Sequence, residues 1–150
     1  MLSQKNESGD RLNCSIFVFE PDDIVRPLLK YNLQTWGYQL IVAIDEADIV
    51  QRLRAGYDRF DLILLNQCGQ SIEWLLDLGR QVRQSLEFDG QTPILIIAEG
   101  YGADLEGQDV QVGENEYVTY LEDGQQLKVI LQRLCLVFEA DSAASAQQWP

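Results

Sequence analysis

The chain has 150 residues, 46% of them hydrophobic, enough for one sizeable core and too few for two ordinary domains. Its formal charge of -13, from 24 acids against 11 bases with no histidine, opposes contact with nucleic-acid phosphates or anionic lipid. No segment approaches the roughly 20 apolar residues that span a bilayer, and the opening stretch MLSQKNESGDRLN has no apolar signal core, so a cytoplasmic protein is the expectation.

In chain order, residues 1–13 read as a flexible arm and CSIFVF (14–19) as a first strand. Val25, Leu28, Leu29, Leu33 and Trp36 mark one face of a first helix, with Gly37 where a helix end favours a left-handed residue. YQLIVA (38–43) is the second strand. Ala47, Val50 and Leu53 mark a second helix stopped by Gly56, and LILL (62–65) is the third strand. Ile72, Leu75, Leu76, Val82 and Leu86 mark a third helix, PILIIA (93–98) the fourth strand and YVTY (117–120) the fifth. Leu127, Ile130, Leu131, Leu134 and Phe138 mark the last helix and close a domain spanning 14–138. Short apolar runs alternating with helical ones imply a parallel sheet covered on both faces.

Where a fourth helix is due, EGYGADLEGQDVQVGENE (99–116) has four glycines, six acids and no base. Each glycine costs a helix about 1 kcal/mol relative to alanine, so a short or irregular element is expected there. The stretch EADSAASAQQWP (139–150) reads as a flexible tail or the start of a linker. Cys14, Cys68 and Cys135 are too few and too scattered for a disulfide framework or a zinc motif, which suggests reduced thiols.

In an open parallel sheet, ligands gather beyond the carboxyl ends of the strands where the strand order reverses. Glu20 and Asn66 stand at two such ends. A nucleotide or flavin phosphate there needs glycines opening a helix or a Walker lysine. Glu20, Asp22 and Asp23 of FEPDDI instead repel a phosphate unless a divalent cation intervenes.

Acids after the first strand, a site residue ending DLILL, the strand TPILII and an aromatic fifth strand together resemble the receiver domain of two-component response regulators. This is the CheY-like family. The run LLKYNLQTWGYQLIVAIDEADIVQRL (28–53) is similar to the family's helix, Gly-Tyr, strand and helix sequence, and the likeness spans Cys14 to Phe138. It implies a flavodoxin-like three-layer sandwich with a five-stranded sheet in the order 2-1-3-4-5.

Such receivers accept a phosphoryl group on an aspartate ending strand three, with magnesium held by two acids after strand one. A hydroxyl from strand four and a lysine from strand five hold the product. On that pattern the first acid is Glu20, the second falls on Pro21, the acceptor on Asn66, the hydroxyl on Ala98 and the lysine on Tyr120. An amide oxygen is a poor nucleophile, proline supplies no side-chain ligand, alanine no hydroxyl and tyrosine no cation. The site therefore reads as a degenerate phosphorylation site with no catalytic residue, no metal and no cofactor, in a pseudo-receiver that is not an enzyme. The family's cis-proline after the lysine is replaced by Leu121, for which cis costs about 2.5–4 kcal/mol, so a trans bond is expected. Tyr117 falls on the switch aromatic.

Plainer roles stand beside these. Asp22 and Asp23 suit a helix start, Asn66 tolerates left-handed backbone, Trp36 and Trp74 suit packing, and Arg52, Arg54 and Arg59 suit a solvated face. Cys68 has no neighbouring cation to activate it. The first functional expectation is a phosphorylation-independent signalling module, acting on a protein partner or a second copy through the strand-five and helix-five face, with the acidic stretch favouring a basic partner. The alternative is a former phosphorylation pocket that binds a metal ion or small ligand, as in clock-type quinone-responsive pseudo-receivers.

Overall fold

The computed structural model describes residues 14–56, 59–86 and 91–142, the last seven as backbone alone. Its elements are β1 Ser15–Phe19, α1 Val25–Thr35, β2 Gln39–Ala43, α2 Glu46–Arg54 and β3 Leu62–Asn66. There follow α3 Ile72–Ser85, β4 Ile94–Ile97, β5 Asp109–Gly113, β6 Glu116–Thr119 and α4 Gly124–Ser142. α4 thus covers residues 139–142 of the expected tail; the N-terminal arm and the rest of that tail lie outside the described residues.

β1, β3 and β4 read as unbroken aliphatic runs because both of their faces are buried. Phe17, Phe19, Ile63, Leu65, Ile94 and Ile96 form one core layer with Leu75 and Val82 of α3 and Ile49 of α2. Ile16, Val18, Leu62, Leu64 and Leu95 form the other with Leu29 and Leu33 of α1 and Leu127, Ile130 and Leu131 of α4. Gly37 and Gly56 end α1 and α2 at φ 100° and 101°, a region where a side chain is strained. No described helix is long and apolar enough to cross a membrane.

The sheet has six strands in the order β2-β1-β3-β4-β6-β5, not five. The expected fifth strand is β6, parallel to β4. The extra strand β5 pairs antiparallel with β6 and occupies the stretch where no regular helix was expected. Asn115, at φ 57°, makes the tight turn that joins them.

Two helical faces also differ from expectation. On α1, Leu29 and Leu33 are buried, whereas Leu28 is 63% exposed and forms an outward stripe with Ile24 and Tyr31. On α2 the core residue is Ile49, and Ala47 and Val50 face water. On α1 the expected Leu29 and Leu33 carry the buried stripe, and on α2 Ile49 takes the place of Val50.

The cysteines differ most. Cys14, before β1, and Cys135 on α4 form a disulfide with Cα atoms 6.6 Å apart, in place of two reduced thiols. Spacing along the chain carried no sign of it, because 121 residues separate the partners.

Candidate functional site at the carboxyl ends of the central strands

Glu20 follows β1 directly, and its N–H donates to the Ala43 carbonyl at 3.0 Å, which sets it between β1 and β2. It is fully buried. Oε2 accepts the Asp22 N–H at 3.1 Å, while Oε1 has no hydrogen-bond partner among the described residues. Burial pushes the carboxyl above its ordinary range; the neighbouring Asn66 amide and the Asp22 N–H pull the other way.

The turn that follows is devoted to starting α1. Asp22 Oδ1 accepts the N–H groups of Ile24 at 2.8 Å and Val25 at 3.2 Å, so this oxygen holds the start of α1. Arg26 Nε donates to the Glu20 carbonyl at 3.2 Å, and its guanidinium also reaches the Pro21 carbonyl and the exposed Asp23. Pro21 and Asp23 are thereby held in a clamped loop. Arg26 was not singled out in the sequence, although a base three residues after an acid in a helix start is a visible signal.

Asn66 is the last residue of β3, paired with Ile97. Its backbone is ordinary strand: among the described residues Asn115 is the only non-glycine with positive φ, so left-handed tolerance does not account for Asn66. The next residue ties two loops together. Gln67 Oε1 accepts the Glu99 N–H at 2.8 Å, and Glu99 Oε2 accepts the Gly69 N–H at 2.9 Å.

Ala98 is buried, and its N–H donates to the Thr119 carbonyl at 3.0 Å. Tyr120 packs against the same core layer as Ala98, edge-on to Tyr101 with ring centroids 5.3 Å apart. Tyr101 donates its hydroxyl hydrogen to the Leu121 carbonyl, so two rings and one hydrogen bond cover β6 where a helix is missing. The Tyr120–Leu121 peptide is trans. Tyr117 lies half-buried against the opposite layer.

Glu20 and Asn66 therefore meet, Pro21 borders them, and Ala98 and Tyr120 form an apolar end to β4 and β6. Among the described residues no group of three or more His, Cys, Asp or Glu side chains is placed to hold a metal ion. A cleft of about 200 Å³ lies beside the site, between Pro21, Ile44, Cys68 and Trp74. Trp74 also packs 6.4 Å from the Phe19 ring. Burial first, then Asp22, Glu99 and Glu20, push the Cys68 thiol up, away from the reactive thiolate.

No family model matches this sequence, and no curated protein matches it. Solved structures do. The receiver domain of the sensor histidine kinase PA1611 from Pseudomonas aeruginosa, described with magnesium in its active-site cleft, is 20% identical, with a TM-score of 0.56 over 82% of this chain and 98% of that one. A receiver protein from Sinorhizobium medicae gives 15% identity and 0.58, covering 84% of this chain and 97% of its own. The chemotaxis protein CheY4 of Vibrio cholerae gives 17% and 0.57, covering 81% and 98%. The chain has the CheY-like, flavodoxin-like α/β fold, enlarged by one edge strand.

Proposed function

We propose that this chain is a receiver-type signalling module that has lost phosphoryl transfer and works by protein contact, through the surface built by β6, α4 and the added β5. The observation that carries the reading is the state of the strand ends. The position of the phosphoryl acceptor is an amide, its metal-binding neighbour is a proline, and the hydroxyl and lysine positions are Ala98 and Tyr120. The surviving acid, Glu20, is fully buried, and burial pushes its carboxyl up, which suits a structural carboxyl better than a magnesium ligand. Asp22, the other carboxylate able to help, is engaged in capping α1.

The test is a titration with magnesium and beryllofluoride followed in backbone amide spectra. The amides of Asn66, Gln67 and Ala98 should stay fixed up to millimolar concentrations, and acetyl phosphate should add no mass. Restoring the acceptor alone, Asn66→Asp, should leave the protein unphosphorylated. Phosphorylation of that single variant from acetyl phosphate would show that the remaining replacements are tolerated, and the reading would fail.

A second reading rests on the cleft beside Trp74: a small, flat, largely apolar ligand seated between Pro21, Ile44 and Trp74. Quenching of tryptophan fluorescence by a soluble quinone, abolished in Trp74→Leu and unchanged in Trp36→Leu, would favour it over simple packing.

A further inference from the structure

Resting on the module reading above, we infer that the free edge of β5 is a docking strand for a basic, extended peptide segment, which joins the sheet as its next strand. β5 ends the sheet beyond β6. Tyr120 N–H donates to the Gln108 carbonyl at 2.8 Å, and the register then sets Asp109 opposite Thr119 and Val110 opposite Val118. Antiparallel partners alternate between bonded and non-bonded pairs, so Val110 exchanges bonds with Val118 while the main-chain groups of Asp109 and Gln111 point outward. Asp109 and Gln111 are exposed, and β5 is the last strand on that side of the sheet. Val110, opposite Val118, faces the same side of the sheet as that residue, so an added strand would find an apolar neighbour there.

Charge decides the occupant. From residue 84 to residue 127 there is no Lys or Arg. Asp104, Glu106, Asp109, Glu114, Glu122 and Asp123 are all exposed around this edge. Glu116 is excluded from the set because it is neutralised by Arg80 and Arg83. Like charges facing each other across a strand pair are destabilising, so a second copy of β5 is repelled. The irregularity between Gln111 and Gly113 limits pairing to the Asp109–Gln111 end. Acids and bulges are also how proteins blunt an edge against aggregation. Here they leave one class of strand unopposed, one that alternates Lys or Arg with apolar residues.

The test uses three capped decapeptides: alternating Lys and Val, the same sequence N-methylated at every second residue, and alternating Glu and Val. The Lys-Val peptide should shift the Asp109 and Gln111 amides and slow their hydrogen exchange. The N-methylated isomer carries the same charge without the donors on one edge, and should bind about tenfold or more weaker. The Glu-Val peptide should not bind. Gln111→Pro removes an outward N–H from an edge strand, where proline is accepted, and should weaken Lys-Val binding to a similar degree. Equal binding of the methylated and unmethylated peptides, or shifts spread over the acidic surface without Asp109 and Gln111, would overturn the docking strand. Those results leave the module reading intact, since it fails on a different signal: beryllofluoride shifts at Asn66.

Discussion

Arg80 of α3 grips Glu116 of β6 at two points, Nε to Oε2 at 2.9 Å and Nη2 to Oε1 at 2.7 Å, from 36 residues away in sequence. Arg83 adds a third contact at 3.3 Å and ties the same corner to the carbonyls of Thr92 and Asn115. This brace fixes the start of β6, and with it the turn into β5. Glu116 is nearly buried while Arg80 is 45% exposed, so water weakens the pair. Glu116→Ala, which removes the carboxylate from both Arg80 and Arg83, should cost about 1–3 kcal/mol in urea unfolding.

The same carboxyl predicts an acid limb. Arg80, then Arg83, hold Glu116 below the usual carboxylate range. A depressed folded value means that its stabilisation is present above the unfolded pKa of about 4.3 and is lost as pH falls through the folded value. The gap in Tm between the wild type and Glu116→Gln should therefore be full at neutral pH and should shrink in acid. A gap independent of pH would show that the ion pair contributes through shape alone.

Glu20 should behave oppositely. Its carboxyl is raised by burial, so the folded state favours the protonated form. Stability from this group is present below the unfolded pKa and is lost as pH rises through the folded one. Glu20→Gln should raise Tm at neutral pH, with the advantage fading in acid. A magnesium-dependent rise in the wild-type Tm, absent in this variant, would instead mark Glu20 as a ligand.

On α1, adjacent leucines should answer very differently. Leu29 is buried and Leu28 is 63% exposed. Leu29→Ala should cost about 2–5 kcal/mol, whereas Leu28→Glu should stay within about 0.5 kcal/mol. Chemical denaturation of the two variants separates them.

The disulfide between Cys14 and Cys135 ties the start of β1 to α4 across 121 residues. Peptide mapping without reductant should recover the two cysteines linked, with Cys68 free. Reduction, or Cys135→Ser, should lower stability by about 2–4 kcal/mol.

The parallel sheet was legible because β1, β3 and β4 are buried on both faces and leave uninterrupted aliphatic runs between glycine-marked helix ends. β5 was missed for the converse reason. In DVQVG only Val110 and Val112 alternate with polar residues, and the glycines and acids around them outweigh that short signal. Where two apolar residues are adjacent, as at Leu28–Leu29, both of them named, and at Ile49–Val50, a periodic pattern alone does not rank them. The residues at the strand ends, Glu20, Asn66, Ala98 and Tyr120, could be read directly. What Glu20 does with its second oxygen, and that Arg26 clamps its loop, are facts of three-dimensional placement.

The bonds from Gln67 to Glu99 and from Glu99 to Gly69 lash together the loops after β3 and β4 using only this chain's own atoms. Signalling by phosphorylation needs these loops to rest in two arrangements and an added group to choose between them. Here the two loops are already joined without one. On the proposed reading the output is then set by whether the β5 edge is free, and not by a chemical mark.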